Sequence, residues 1–302
     1  MIKKAPVPPL LVLFVGVFAV STASVLIRFA QQEAPSLVIA ALRLTLAAFL
    51  LLPLALTKYK NDIFCLQAKQ LGALILSGSL LCVHFASWIT SLEYTSVASS
   101  VVLVTTTPLW VALLSPLVLR ERLTKTVWFG LFVTLLGGSI VGGGGALFNS
   151  VSLPQFLQRG NTLYGNFLAL VGAWAMAGYV LVGRRARVSL SLIPYIFVTY
   201  GTAAVFLLLL VGINRLPLYG YSSATYLWMA LLAVGPQLIG HTAYNWSLGY
   251  VRAALVSVTL LAEPIGAMIM AAIVLAEPPM LFEIAGSAIV LAGIYITTQS
   301  KG

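Results

Sequence analysis

Glu263, in the run Leu260-Leu261-Ala262-Glu263-Pro264, and Arg43, in Ala40-Ala41-Leu42-Arg43, stand inside long apolar stretches. A charge in such a place is costly, so each has a functional and a structural reading. For Glu263 the functional reading is a carboxylate that binds substrate or couples transport to a proton. The structural one is a protonated or paired Glu beside a kink. Pro264 lacks a backbone N–H and frees a carbonyl, which opens the helix locally. Pro108, after Thr107, is the matching kink. For Arg43, recognition of a substrate carboxylate stands against an ion pair with Glu263. Gln237, His241, Tyr244 and Asn245 fall at i, i+4, i+7 and i+8, on one α-helical face. Such a stripe faces a wet cavity or makes hydrogen bonds between helices. Ser77, His84, Trp88 and Ser91 form a weaker stripe. Thr105-Thr106-Thr107 and Ser99-Ser100 line the same cavity or bond back to their own helices. Trp174, Tyr179, Tyr195 and Tyr200 add aromatic walls or pack at the membrane boundary.

Other chemistry finds little support. Two histidines leave little for a metal site, and no HExxH or GxSxG pattern is present. No Walker motif appears. Gly142–Gly145 lacks the Lys-Ser/Thr of a phosphate loop, and Gly138 and Gly142 have the spacing of close helix packing. Cys65 and Cys82 form no disulfide or metal spacing. Glu121 and Glu277 stand where they would complement the N-terminus of the next helix. We expect no metal, no cofactor and no enzyme.

The elements that position these residues follow from composition. The 302 residues are 60% hydrophobic and 8% charged. A soluble domain carries roughly 25% charged residues, so most of this chain's surface must face lipid. Ten apolar runs of about 20 residues suit spanning helices. They lie near Leu10–Ala30, Ser36–Thr57, Leu71–Ser91, Ser96–Leu119, Thr126–Ala146, Leu163–Gly183, Leu190–Ile213, Thr225–Trp246, Ala253–Leu275 and Met280–Thr298. The first follows Lys3 and Lys4 like a signal peptide, but it is longer than an h-region and has a partner in the second half. With a cytoplasmic N-terminus, 13 Lys and Arg fall inside, 3 outside, and Arg43 within a span. The positive-inside rule then puts both termini in the cytoplasm. The bias also explains the net charge of +10 without a nucleic-acid partner.

A shift of 156 positions lays the chain on itself without a gap. Gly16 falls on Gly172, Arg28 on Arg184, Ser91-Leu92-Glu93-Tyr94 on Ser247-Leu248-Gly249-Tyr250, and Pro108 on Pro264. Glu121 falls on Glu277, and Gly130 and Gly137 on Gly286 and Gly293. Thr107 falls on Glu263 and Trp88 on Tyr244. Five spans per half is an odd number, so the second half enters the membrane inverted. The expected architecture is an all-α integral membrane protein of two inverted five-helix repeats, residues 1–147 and 162–302, joined by a linker at 148–161. Inverted repeats that rock about a midplane site recur in secondary transporters. A channel, a scaffold or, with less support, a membrane enzyme are the other classes. A cavity closed at one end separates a transporter from a continuous pore or a filled interior.

The chain resembles the EamA-type transporters of the drug/metabolite transporter superfamily. The resemblance rests on the repeat and on two matched segments. One is Leu92-Glu93-Tyr94-Thr95-Ser96-Val97-Ala98, then Thr107-Pro108 and Arg120-Glu121-Arg122-Leu123-Thr124. The other is Leu248-Gly249-Tyr250-Val251-Arg252-Ala253-Ala254, then Ala262-Glu263-Pro264-Ile265 and Ala276-Glu277-Pro278. The Arg43 segment resembles the family's second helix. The resemblance implies export or exchange of small metabolites, such as amino acids, across the plasma (inner) membrane. At 1.5 Å per residue, Arg43 and Glu263 lie about 10 and 18 Å below the outer face. Both are expected to face one cavity and to influence each other.

Overall fold

A computed structural model describes residues 5–95, 97–120, 123–148, 160–274 and 281–299. The described residues are helical, with short turns between helices. Six helical stretches are long and apolar enough to cross a membrane: Pro9–Ala30, Ser36–Thr57, Ala68–Tyr94, Leu163–Arg187, Leu192–Ile213 and Ser223–Ser247. Four shorter apolar helices are Thr107–Val118, Lys125–Ile140, Ala253–Ala267 and Ile284–Thr297. Glu121, Glu277 and the linker charge Arg159 lie outside the described residues.

Several helix ends have local causes. Gln67 and Gln70 form a reciprocal capping box at the start of Ala68–Tyr94, with Gln67 N–H donating to Gln70 Oε1 at 2.9 Å. Ser222 Oγ accepts from Thr225 N–H at 3.3 Å and caps Ser223–Leu232. Arg120 and Arg215, at φ 56° and 53°, take the left-handed conformation just past Thr107–Val118 and Leu192–Ile213. Their positive charges complement the negative helix C-termini.

Three expected spans are interrupted. The first breaks at Thr22, between Pro9–Ser21 and Ala23–Ala30, where the Thr22 hydroxyl bonds back to Ala19 O at 2.8 Å. The expected run Ser96–Leu119 is two helices, Val97–Val104 and Thr107–Val118. The run Ala253–Leu275 contains Ala253–Thr259, a 3₁₀ turn at Leu260–Ala262, and Glu263–Val274. Pro108 and Pro264 each stand second in the resumed helix. In that first turn a missing N–H leaves no intrahelical bond unmade.

Packing repeats the 156-residue offset. The Ser36–Thr57 and Leu192–Ile213 helices pack together, and their bounds differ by that offset. A Cβ added to Gly16 would lie 3.0 Å from the Tyr244 ring, and one on Gly172 would lie 3.2 Å from Trp88 Cβ. Gln31 Nε2 donates to Ile89 O at 3.1 Å, and Arg187 Nε donates to Asn245 O at 3.0 Å. In the Lys125–Phe148 and Leu281–Thr298 pair, a Cβ on Gly130 would meet Gly293 O at 2.8 Å. One on Gly137 would meet Gly286 O at 2.7 Å. Those helices touch backbone to backbone, which only glycine permits, and this close approach supplies the dispersion that holds helices together in lipid.

Candidate functional site

The two interrupted helices meet at a cleft. Thr107 opens Thr107–Val118 and Glu263 opens Glu263–Val274, and both line it. Val104, Thr105 and Leu260 line it from just before the breaks. His84 and Trp88 come from Ala68–Tyr94, His241 and Tyr244 from Ser223–Ser247, and Val20 and Met176 complete the wall. The cavity they enclose is small, about 30 Å³. Eight of these eleven residues form four pairs separated by 156 positions: Val20 with Met176, Trp88 with Tyr244, Val104 with Leu260, and Thr107 with Glu263. The first three pairs are alike in size or polarity. The fourth sets a hydroxyl against a carboxyl, so the cleft is chemically one-sided.

Local bonds fix the walls. His84 Nδ1–H donates to Gly172 O at 2.9 Å, which makes Nε2 the lone-pair nitrogen of the neutral ring. His84 stacks on Trp88 with ring centroids 5.8 Å apart and planes at 14°. The Thr107 hydroxyl donates to Val104 O at 2.8 Å, while Ser21 Oγ donates to Glu263 O at 3.1 Å. Three lining residues carry buried polar atoms with no protein partner: Trp88 Nε1, His241 Nδ1 and Tyr244 Oη. A buried donor left unpaired is destabilising by about 1–3 kcal/mol. Three such atoms around one cleft fit a site that completes its hydrogen bonds with a guest.

Arg43 does not line this cleft. It is fully buried behind it, donating from Nε to Gln237 Oε1 at 3.0 Å, with its guanidinium 4.2 Å from the Phe85 ring centre. Phe85 in turn meets the His241 ring edge-on at 5.2 Å. Nη1 and Nη2 of Arg43 have no hydrogen-bond partner, and the ion pair with Glu263, one of the two readings of Arg43, is not formed. Phe85 and Gln237 hold the guanidinium instead.

The stripe of Gln237, His241, Tyr244 and Asn245 also divides. Ala233–His241 is a π-helix around Pro236, so α-helical spacing does not apply there. A π turn holds more residues than an α turn and rotates the following side chains. His241 and Tyr244 reach the cleft, whereas Gln237 turns to Arg43. Asn245 is held by Tyr179, which donates to its Oδ1 at 2.8 Å, and its Nδ2 donates to Tyr200 at 3.1 Å. Ser77 pairs with Tyr195 at 2.8 Å and Ser91 with Ser100 at 2.6 Å. These polar side chains join helices, and Trp174 packs edge-on against Trp110. The side chain of Ser99 lies outside the described set.

The model of the EamA-like transporter family matches residues 7–142 and again 163–299. The chain belongs to the EamA-like transporter family. An uncharacterized transporter of Archaeoglobus fulgidus is 27% identical over 218 residues, 69% of this chain and 70% of that one. Uncharacterized transporter YdfC of Bacillus subtilis is 26% identical over 65% of this chain and 60% of its own length. Uncharacterized transporter YetK of the same organism is 24% identical over 80% of this chain and 70% of its own. A solved crystal structure superposes with a TM-score of 0.77 over 96% of both chains at 17% identity, a likeness of fold. In this EamA-like transporter the apolar helices and the family together give a multi-pass membrane protein.

Two features escaped sequence reasoning. Pro236 in the middle of an apolar run was the available signal for the π segment. The second is Glu33, whose Oε2 accepts from Ser222 N–H and Thr225 Oγ1, each at 2.9 Å. Those bonds, the Ser222 amide first, hold the exposed Glu33 carboxyl below its ordinary value of 4.5. A lone Glu in a polar turn gave no sign of a partner 189 positions away.

Proposed function

We propose that this protein is a secondary transporter that exports or exchanges small metabolites, such as amino acids, by alternating access. It has ten spans arranged as two inverted five-helix repeats, lies in the plasma (inner) membrane, and keeps both termini cytoplasmic. The observation that carries the reading is the cleft whose eleven lining residues include four pairs at the repeat offset. A site so built lies on the axis that relates two inverted halves, where rocking exposes it to each side in turn. The mirrored contacts of Gly16 with Tyr244 and Gly172 with Trp88 support the same axis.

In this mechanism a small substrate enters between the resumed helices at Thr107 and Glu263. It bonds to Trp88, His241 and Tyr244, whose polar atoms are otherwise unpaired. Glu263 accepts a proton or a substrate donor. Arg43, buried behind Phe85, supplies a fixed positive charge to that field and couples it to Gln237. Proton coupling through Glu263 gives the energy source. The test is a comparison of extracellular metabolites from cells overexpressing the wild type or Glu263→Gln, with equal membrane levels of both. At least one small polar metabolite should accumulate outside only with the wild type. Identical extracellular profiles would overturn the reading.

A further inference from the structure

A second hollow lies on the lipid-facing side, outside the cleft. It runs between Pro9–Ser21 on one wall and Glu263–Val274 with Leu281–Thr298 on the other. Its cavity volume is about 390 Å³. Phe14, Phe18, Ile265 and Ile269 form its sides, and Ser21 and Gly266 close its deep end. Leu10 to Ser21 spans about 16 Å of helix, close to half of the roughly 30 Å hydrocarbon core. The hollow therefore covers one leaflet, the one on the side of the chain's N-terminus.

The repeat offset puts Trp110 in the place of Gly266 and Trp174 in the place of Phe18. There the two indoles pack edge-on, with centroids 5.5 Å apart and planes at 87°. Trp110 Nε1 donates to Thr106 Oγ1 at 3.2 Å, and Phe167 meets Trp174 at 6.5 Å. That seam, between Trp110 of the first half and Trp174 of the second, is thus filled by aromatic side chains. Its mate, between Phe18 of the first half and Gly266 of the second, is left open. A glycine is required at 266, because an added Cβ would collide with Ser21.

We propose that this groove is a binding site for a hydrocarbon chain of a membrane lipid, held along Pro9–Ser21 in the N-terminal-side leaflet. The chain does for this seam what Trp110 and Trp174 do for the other. The lining offers methyl, methylene and phenyl surface at bilayer depth, which a lipid tail matches and a polar substrate does not. The bound chain lies against helices that also wall the cleft, since Val20 and Glu263 line the cleft while Ser21 and Gly266 line the groove. This inference does not depend on transport.

The test uses the full-length protein in vesicles of phosphatidylglycerol and phosphatidylethanolamine. A photoactivatable diazirine phospholipid labels it, and adducts are mapped by peptide mass spectrometry. Adducts should concentrate within residues 10–21 and 262–269 over equally apolar exposed positions such as Phe49 and Val205. Ile269→Trp, which fills the groove from an exposed position, should lower those adducts several-fold while leaving the rest. The double variant Trp110→Gly with Trp174→Ala should create a second cluster on Thr107–Val118 and Leu163–Arg187. Labelling spread evenly over the apolar surface, or unchanged in both variants, would overturn the proposal. Equal thermal unfolding midpoints of the variants exclude misfolding as the cause.

Discussion

Arg43 Nε donates to Gln237 Oε1 across 3.0 Å, joining side chains 194 positions apart in the sequence, both fully buried. The bond ties Ser36–Thr57 to the π segment of Ser223–Ser247, so the cleft wall at His241 depends on a residue outside the cleft. Removing one partner of a buried, charge-assisted bond strands the other. Arg43→Met and Gln237→Leu are each expected to lower stability by about 2 kcal/mol. The double variant should lose less than the sum, because replacing both partners leaves no orphan. Thermal unfolding in detergent checks this. Additive losses would mean that the two side chains act separately.

Trp88 and Tyr244 make a different kind of test. Their polar atoms have no protein partner, so removing them breaks nothing inside the folded chain. Tyr244→Phe should leave the unfolding midpoint at or above wild type, whereas Trp88→Phe also removes buried ring area stacked on His84 and should lower it through lost packing. Each should weaken substrate affinity by about 1 kcal/mol, roughly fivefold, if the group bonds to substrate. The measurement is the KM for the exported metabolite beside the unfolding midpoint. A lower midpoint with unchanged KM would make these groups packing residues.

Apolar membrane-crossing helices were legible in the sequence, and His84, Trp88, Thr107, His241, Tyr244 and Glu263, singled out there, line one cleft. Apolar length and a conserved register of Gly and Pro are local signals that survive folding. The roles of Arg43, Gln237 and Asn245 were not legible. Their side chains turn toward Phe85, Tyr179 and Tyr200 because a buried polar group takes the nearest partner, and partners on other helices have no sequence signature. The π segment rotated the face that regular spacing assumes. The breaks before Thr107 and Glu263 were expected only as proline kinks, since a proline marks a disturbance without fixing which residue leaves the helix.

Glu33 should make stability pH-dependent on the acid side. Its folded value is held below the ordinary 4.5 by Ser222 and Thr225, so its contribution is full above that value. The contribution is lost as pH falls through the lower folded value, because the protonated carboxyl accepts these bonds less well. Glu33→Gln should flatten the acid arm of unfolding midpoint against pH, lying slightly below wild type at neutral pH and meeting it in acid. An acid arm identical in wild type and variant would assign it to other carboxylates.

The topology proposal has a direct check. Thirteen basic residues against three favour a cytoplasmic N-terminus, and the proposed ten spans would return the C-terminus to that side. Reporter fusions after Gly302 and near Arg159 should report opposite sides of the membrane. The same side for both would end the inverted-repeat reading.

Glu263 carries the most specific expectation. It opens the resumed helix after the 3₁₀ turn, lines the cleft, and stands where the other half has Thr107. Among the four offset pairs of the wall, Thr107 and Glu263 form the one that sets a hydroxyl against a carboxyl, and that asymmetry lies within the cleft. Glu263→Gln keeps the size and hydrogen-bonding capacity but cannot take or give a proton. The variant should insert and unfold like wild type while losing transport. Glu263→Asp should retain pH-dependent transport at a lower rate, since it keeps the acid on a shorter stem. Transport assayed across a pH gradient and at equal pH separates coupling from binding. Full, pH-independent transport by Glu263→Gln would return Glu263 to a structural role beside Pro264.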